Sequence, residues 1–206
     1  QSGTNHIYAL ANDSPRAIYK SMDLGETFEF VVSLDDSQGI PWANISHFDI
    51  FTPRYFEDHI YLINDMTLYT VNGADLILIS DLPPLLSDGL GFDSDNVALT
   101  GGAGVNGTFL YAYVGNHIFK STNEGTSWSY KGESPTNWWW INGFNSSNLE
   151  SERIFIGGME VFGSSSSGYD WTLVNPWWEY YDNMESKLHA DIPEIRFYLD
   201  EEYNEI

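Results

Sequence analysis

The side chains of this chain that could do chemistry are carboxylates and aromatic rings. Thirty Asp and Glu stand against eight Lys and Arg, and Trp, Tyr and Phe make up 16% of 206 residues. The tryptophans gather at Trp138, Trp139 and Trp140, and again at Trp177 and Trp178, where Tyr180 and Tyr181 follow closely. Side chains on a strand alternate between faces, so neighbouring tryptophans cannot all enter one core and at least one of each cluster should face outward. Flat exposed rings beside carboxylates suit a sugar: ring faces stack on pyranose C–H groups while polar groups take the hydroxyls. The competing expectation is burial between sheets, the usual fate of large aromatics. His189 and Asp191 lie two apart, so on a strand they would share one face and could form a polar pair at the mouth of a site.

Glycoside hydrolysis would need two carboxyls facing each other, one kept protonated by its surroundings. Asp49, Glu57, Asp65, Glu133, Glu160, Glu179, Asp182, Glu185 and Asp191 are candidates, and the sequence singles out no pair, so no catalytic residue is assigned. Binding is expected ahead of catalysis. Asp93 and Asp95, in a loop preceded by Asp88-Gly89, offer oxygen ligands that could suit Ca²⁺, though without the spacing of an EF-hand loop. No other cofactor is expected. The five histidines are scattered without zinc spacing.

A formal net charge of −22 weighs against nucleic acid and anionic lipid as partners. Insertion into a membrane is not expected, since no apolar stretch is long enough to span a bilayer. With no cysteine there are neither disulfides nor thiolate metal sites.

The elements that must position these side chains are announced by a repeated turn. Ser-x-(Asp/Asn/Ser)-x-Gly-x-x-(Trp/Phe) occurs at Ser21, Asp23, Gly25, Phe28; at Ser121, Asn123, Gly125, Trp128; and at Ser164, Ser166, Gly168, Trp171. The third residue can accept backbone N–H bonds, glycine supplies a positive φ, and the closing aromatic should pack back under the loop. Each copy follows a short apolar run and precedes another, so each predicts a hairpin. The first two serines lie 100 residues apart and the last two 43, leaving room for one decayed copy in which Thr70 stands for the serine. A period in the forties is that of a four-stranded blade.

Strands are expected at 6–10, 59–63, 108–113 and 153–156 before the turns, and at 46–50, 97–100, 138–141 and 195–199 between units, all rich in β-branched and aromatic residues. No helical period is present. The chain is therefore read as all-β, one domain with blade-like units at about 1–45, 46–95, 96–135 and 136–182, and the start of another at 183–206.

The turn resembles the Asp-box, or bacterial neuraminidase repeat, of sialidases, sortilin-type receptors, xyloglucan-cleaving glycoside hydrolases and secreted Bacteroidetes proteins. The resemblance implies a β-propeller of about four blades here, forming a segment of a larger one. The alternative is that a final strand near Phe197 pairs with the first blade and closes a four-bladed ring. It also implies a bacterial, extracellular or cell-surface protein, exported by the type IX system, that binds a glycan or protein ligand. Remaining blades would come from a longer parent chain or a partner subunit. The enzymatic alternative is half of a xyloglucanase-like polysaccharide cleft, and a protein-binding adhesin module is a third reading. Sialidase activity is not implied, because a sialidase holds its sugar carboxylate with three arginines and only Arg16, Arg54, Arg153 and Arg196 exist here, none in the family's Arg-Ile-Pro pattern.

Overall fold

The structure is a computed structural model that describes residues 6–11, 16–34, 48–53, 59–84, 96–104, 107–136, 143–198, 200 and 205. Fifteen strands are described. They run β1 (Ile7–Ala11), β2 (Ala17–Ser21), β3 (Glu29–Ser33), β4 (Phe48–Phe51), β5 (Tyr61–Asn64), β6 (Thr67–Asn72), β7 (Asp75–Asp81), β8 (Val97–Gly104), β9 (Gly107–Val114), β10 (His117–Ser121), β11 (Ser129–Glu133), β12 (Phe144–Ser146), β13 (Ile154–Gly157), β14 (Val161–Ser164) and β15 (Thr172–Asn175). A 3-10 helix, Trp177–Tyr181, follows.

The strands form four antiparallel meanders in sequence order: β1-β2-β3, β4-β5-β6-β7, β8-β9-β10-β11 and β12-β13-β14-β15. These are propeller blades, the first with three strands among the described residues and the others with four. The third and fourth strands of a full blade are joined across a register shift that recurs at Leu68/Tyr69, Ile118/Phe119 and Val161/Phe162, and at Ile18/Tyr19 in the first sheet. A bulge adds one residue to the outer strand and increases its twist, a sheet-shaping device repeated here in every unit.

The bulge fixes the repeat register independently of the turns. The serine lies three residues after Ile18, Ile118 and Val161, and the residue three after Leu68 is Val71. The decayed copy therefore has Val71, not Thr70, in the serine's place. Its loop has shrunk to Gly73-Ala74, with Asn72 opposite Asp75 and Gly73 at φ 64°. A two-residue hairpin opening on glycine has no room for a serine to cap a longer loop. Thr70 instead donates its hydroxyl to the Ile60 carbonyl, 3.0 Å away.

The core lies in the seams between sheets. Ile18, Val32 and Leu34 of the first unit meet Phe48, Ile60 and Leu62 of the second. Tyr61, Ile63 and Leu68 meet Leu99, Leu110, Ala112 and Phe119 in the next seam. Phe109, Tyr111, Tyr113 and Ile118 meet Phe144, Ile154 and Ile156 in the last. Both faces of a middle blade are thus buried, which is why β9, Gly107–Val114, reads as a nearly unbroken apolar run.

Polar bonds tie the inner strands together. The Asp49 carboxylate accepts the Leu99 N–H at 2.9 Å, the Thr100 hydroxyl donates to Asn145 at 2.6 Å, and the Ala103 N–H donates to the Asn148 carbonyl at 3.1 Å.

Two expected strands differ. The inner strand of the fourth sheet is Phe144–Ser146; the segment 138–141 expected to supply it lies outside the described residues. Residues 195–198 form no strand. They lie against the fourth sheet, where Asn145 donates to the Ile195 carbonyl at 2.8 Å and the Phe197 ring packs 5.6 Å from that of Phe155. Among the described residues the first sheet receives no strand from this segment.

Candidate functional site

The repeated turns are built as their residue types dictate. The serine hydroxyl accepts the glycine N–H at 2.8 Å in the first copy and 2.9 Å in the other two. The third residue accepts the N–H four positions on, at 2.8 Å for Asp23, 3.0 Å for Asn123 and 2.9 Å for Ser166. Hydrogen bonds from the Thr27 hydroxyl, the Thr27 amide and the Ser21 hydroxyl hold the Asp23 carboxyl down at about 2. Gly25, Gly125 and Gly168 have φ of 95°, 81° and 94°. The residue before each, Leu24, Glu124 or Ser167, is left-handed too, at 62°, 57° and 63°, a feature the sequence pattern did not reveal because that position is free in type.

The closing aromatics divide. Trp128 enters the seam between the second and third sheets, donating its indole N–H to the Ser80 hydroxyl at 3.1 Å, and Ser80 donates in turn to the Gly125 carbonyl at 2.5 Å. Trp171 packs in the next seam, where its indole N–H is buried without a partner among the described residues. Phe28 does not pack under a neighbour: it is 44% exposed, because no blade covers its side of the first sheet among the described residues. These turns carry the architecture and leave chemistry to other side chains.

The aromatic cluster that follows the fourth sheet is the exposed candidate surface. Pro176 starts the 3-10 helix with its fixed φ, here −72°, and the short turn projects rings in several directions. Trp177 meets Trp178 and Tyr181 edge to face at 6.3 and 6.1 Å, and Tyr180 meets the His189 ring at 4.9 Å and 85°. Two bonds between Asn175 and Leu188, each 3.1 Å, close the loop that holds them. Trp178 remains 50% exposed and Tyr181 65%, with Met184 and Leu188 exposed beside them in sequence and Glu179 paired to Lys187. Trp177, Trp178, Tyr180, Tyr181 and His189 are therefore brought together. Their mutually perpendicular rings offer separate stacking faces, unlike one flat platform.

Asp191 does not join His189 as a strand-mounted pair. The segment is not a strand, Asp191 has φ 71°, and the His189 ring nitrogen lies 2.8 Å from the Ala190 carbonyl. Trp138, Trp139 and Trp140 lie outside the described residues, as do Asp93 and Asp95. Among the described residues no group of three or more His, Cys, Asp or Glu is placed to hold a metal ion. No described helix is long and apolar enough to cross a membrane.

Among the described residues Asp49 is the carboxyl that burial most affects. Loss of solvent raises it to about 6, against the opposing pull of the Leu99 and Ile50 amides, each of which donates to it. Both of its oxygens are engaged by backbone donors, so the group works as a staple between the second and third sheets. Among the described residues Lys120 is the buried cation. Burial pushes its ammonium down, and it is held by the Ser151 carbonyl and by the Ser167 hydroxyl at 2.9 Å across the last seam.

The fold defines a β-propeller segment, and one solved structure with a TM-score above 0.5 shares the architecture. The chain is similar to a glycoside hydrolase of family GH74 from Niastella koreensis, with a TM-score of 0.53 at 15% identity over 84% of this chain. It spans 23% of that enzyme's length. YCF48 from Cyanidioschyzon merolae gives a TM-score of 0.49 at 12% identity, covering 94% of this chain and 74% of that one. A structure of YCF48 bound to D1 peptide gives 0.38 at 12% identity, covering 66% and 47%. No protein-family model matches the sequence, and no curated protein aligns with it. At these identities the likeness is one of fold.

Proposed function

We propose that this chain is a binding and scaffolding module of the Asp-box propeller type, displayed outside a bacterial cell, that holds a glycan against exposed aromatic rings. The observation that carries the reading is the cluster at Trp177–Tyr181. Trp178 and Tyr181 keep half or more of their surface in solvent although each is large enough to gain a few kcal/mol by burial. A pyranose laid on either ring would find Glu179 and Asp182 within the same short segment to take its hydroxyls. Export by a Bacteroidetes-type route accords with the strong acidity and the absence of cysteine. Further blades, from a longer parent chain or from another subunit, belong to the same proposal.

A protein ligand is the second reading, favoured by the exposed apolar side chains of Met184 and Leu188 in the same loop. A glycan array separates the two. Binding should fall at least about tenfold on replacing Trp178 or Tyr181 by Ala, in line with the loss of one stacked ring. Wild-type affinity in both variants would remove the glycan surface, and hydrolysis of the bound polysaccharide, abolished by one carboxylate substitution, would overturn the binding role in favour of catalysis.

A further inference from the structure

The short helix Trp177–Tyr181 sorts its side chains into three columns. A 3-10 helix has three residues per turn, so positions three apart stand one above the other, about 6 Å along the axis. Trp177 and Tyr180 form the half-buried column, and Tyr180 meets the His189 ring of the returning loop. Trp178 and Tyr181 form a second column, and these are the two exposed rings. Glu179 and Asp182 form the third. The Asp182 N–H donates to the Glu179 carbonyl at 3.2 Å, and its φ and ψ of −88° and −27° carry the turn on by one residue. Two open rings thus stand beside two carboxylates, residue for residue.

The charge around these columns is mostly of one sign. Between Pro176 and Tyr198 the acids are Glu179, Asp182, Glu185, Asp191 and Glu194, and the bases are Lys187 and Arg196. Both bases are engaged, Lys187 with Glu179 and Arg196 with Glu194, while among the described residues no ion pair engages Asp182. An anionic sugar laid on Trp178 or Tyr181 would therefore meet carboxylates without a free cation to receive it. Lys187 shows what the acidic column accepts, because it lodges a primary ammonium on Glu179 beside the rings. Asp182, one turn on, presents the same carboxyl group to solvent. A pyranose bearing an amine can place its C–H face on a ring and its ammonium on that carboxylate, a charge-assisted bond that a neutral hydroxyl cannot match. An ammonium held over an indole or phenol face gains a cation–π attraction as well.

We propose that the ligand of this surface is a cationic amino sugar, a glucosamine-type polymer with free amines. Successive pyranoses lie on Trp178 and Tyr181, and an amine sits on Asp182. The inference rests on the glycan reading of the same cluster and deepens it by fixing the charge of the sugar. Because the added contact is an exposed ion pair, the preference for the amine should fade as salt is raised toward ~0.5 M, while the contribution of stacking persists.

Isothermal titration of the 206-residue chain tests it, in low salt at about pH 5.5, between the ordinary ranges of a carboxyl and an amine. The probes are 1,4-linked glucosamine trimer, cellotriose, which carries hydroxyls in place of the amines, trigalacturonic acid, and trilysine as a cation without a pyranose. The glucosamine trimer is expected to bind at least about fivefold tighter than cellotriose, and trigalacturonic acid weakest of the three sugars. Trp178→Ala should weaken the glucosamine trimer by at least about tenfold, and Asp182→Asn should bring the ratio of glucosamine to cellotriose affinity toward one. Both side chains are exposed, so circular-dichroism melts should overlay that of the wild type; if Trp178→Ala unfolds, Tyr181→Ala takes its place. Equal affinity for the glucosamine trimer and cellotriose, each dependent on Trp178, would overturn this choice of sugar and leave the glycan surface standing. No binding of any of the three sugars would overturn both. Binding indifferent to Trp178, or trilysine held as tightly, would trace the effect to bulk negative charge and likewise overturn the proposal.

Discussion

The turns at Gly125 and Gly25 have the same internal hydrogen bonds but different surroundings. In both, serine accepts the glycine N–H and the third residue accepts the amide four positions on. Yet a Cβ placed on Gly125 would stand 2.0 Å from the Leu68 side chain of the preceding sheet, whereas one on Gly25 would meet nothing nearer than Ile7 at 3.7 Å. Local sequence is enough to build the turn. What the turn contributes to stability depends on whether another blade is pressed against it.

Three tests probe that difference, in decreasing order of effect. Gly125→Ala combines a φ of 81° with a collision in the seam and should cost on the order of 3 kcal/mol or more, while Gly25→Ala should cost only the backbone strain, about 1 kcal/mol. Urea unfolding of the two variants measures the gap, and equal costs would break the comparison.

Asp49 tests the seam by pH. Its carboxyl is raised in the folded chain from 3.8 to about 6, so folding takes up a proton between those values. By linkage, its contribution is most favourable below about pH 4 and declines as pH rises through about 6. Asp49→Asn should remove that decline, so the wild type should lose on the order of 2 kcal/mol relative to the variant between pH 4 and 7. Parallel stability curves would show that the carboxyl is not held in the seam.

The smallest effect separates the two tryptophans. Trp128→Phe removes the bond to Ser80 and should cost about 1 kcal/mol beyond the change in ring size, whereas Trp171→Phe removes a buried N–H that has no described partner and should cost less. The repeat gives a reason: Gly132 lies opposite the bulge residue Ile118, as Ser80 lies opposite Leu68, so the hydroxyl that serves Trp128 has no counterpart for Trp171. Thermal unfolding of the pair ranks them.

Sequence reading worked where a residue type has one physical use. Serine, an acceptor and glycine at fixed offsets marked three turns, since few other residues could make the same bonds. It missed by one residue at Val71, because the shortened Gly73-Ala74 loop erased the serine and only the bulge, a feature of pairing, still marks the place. It placed a strand at 195–199, where apolar alternation is present, and residues 195–198 nonetheless form no strand, since pairing depends on a neighbour that the local sequence does not contain. At the candidate site Trp178 is half-exposed, but on a 3-10 helix and not on the alternating strand from which an outward ring was argued. The His189–Asp191 pair failed because it assumed a strand, and the meeting of His189 with Tyr180 arises from a loop closed by Asn175, which no spacing rule anticipates.

The central claim is that successive sheets stand side by side through their inner strands. The chain has no cysteine, so a designed pair can be read without background. The hydroxyls of Thr100 and Ser146 lie 3.3 Å apart across the seam between β8 and β12. Thr100→Cys with Ser146→Cys should cross-link within one chain on mild oxidation, shifting gel mobility reversibly with reductant. Two thiols that stay free under oxidation, in a variant that melts cooperatively, would contradict the arrangement of blades on which the rest depends.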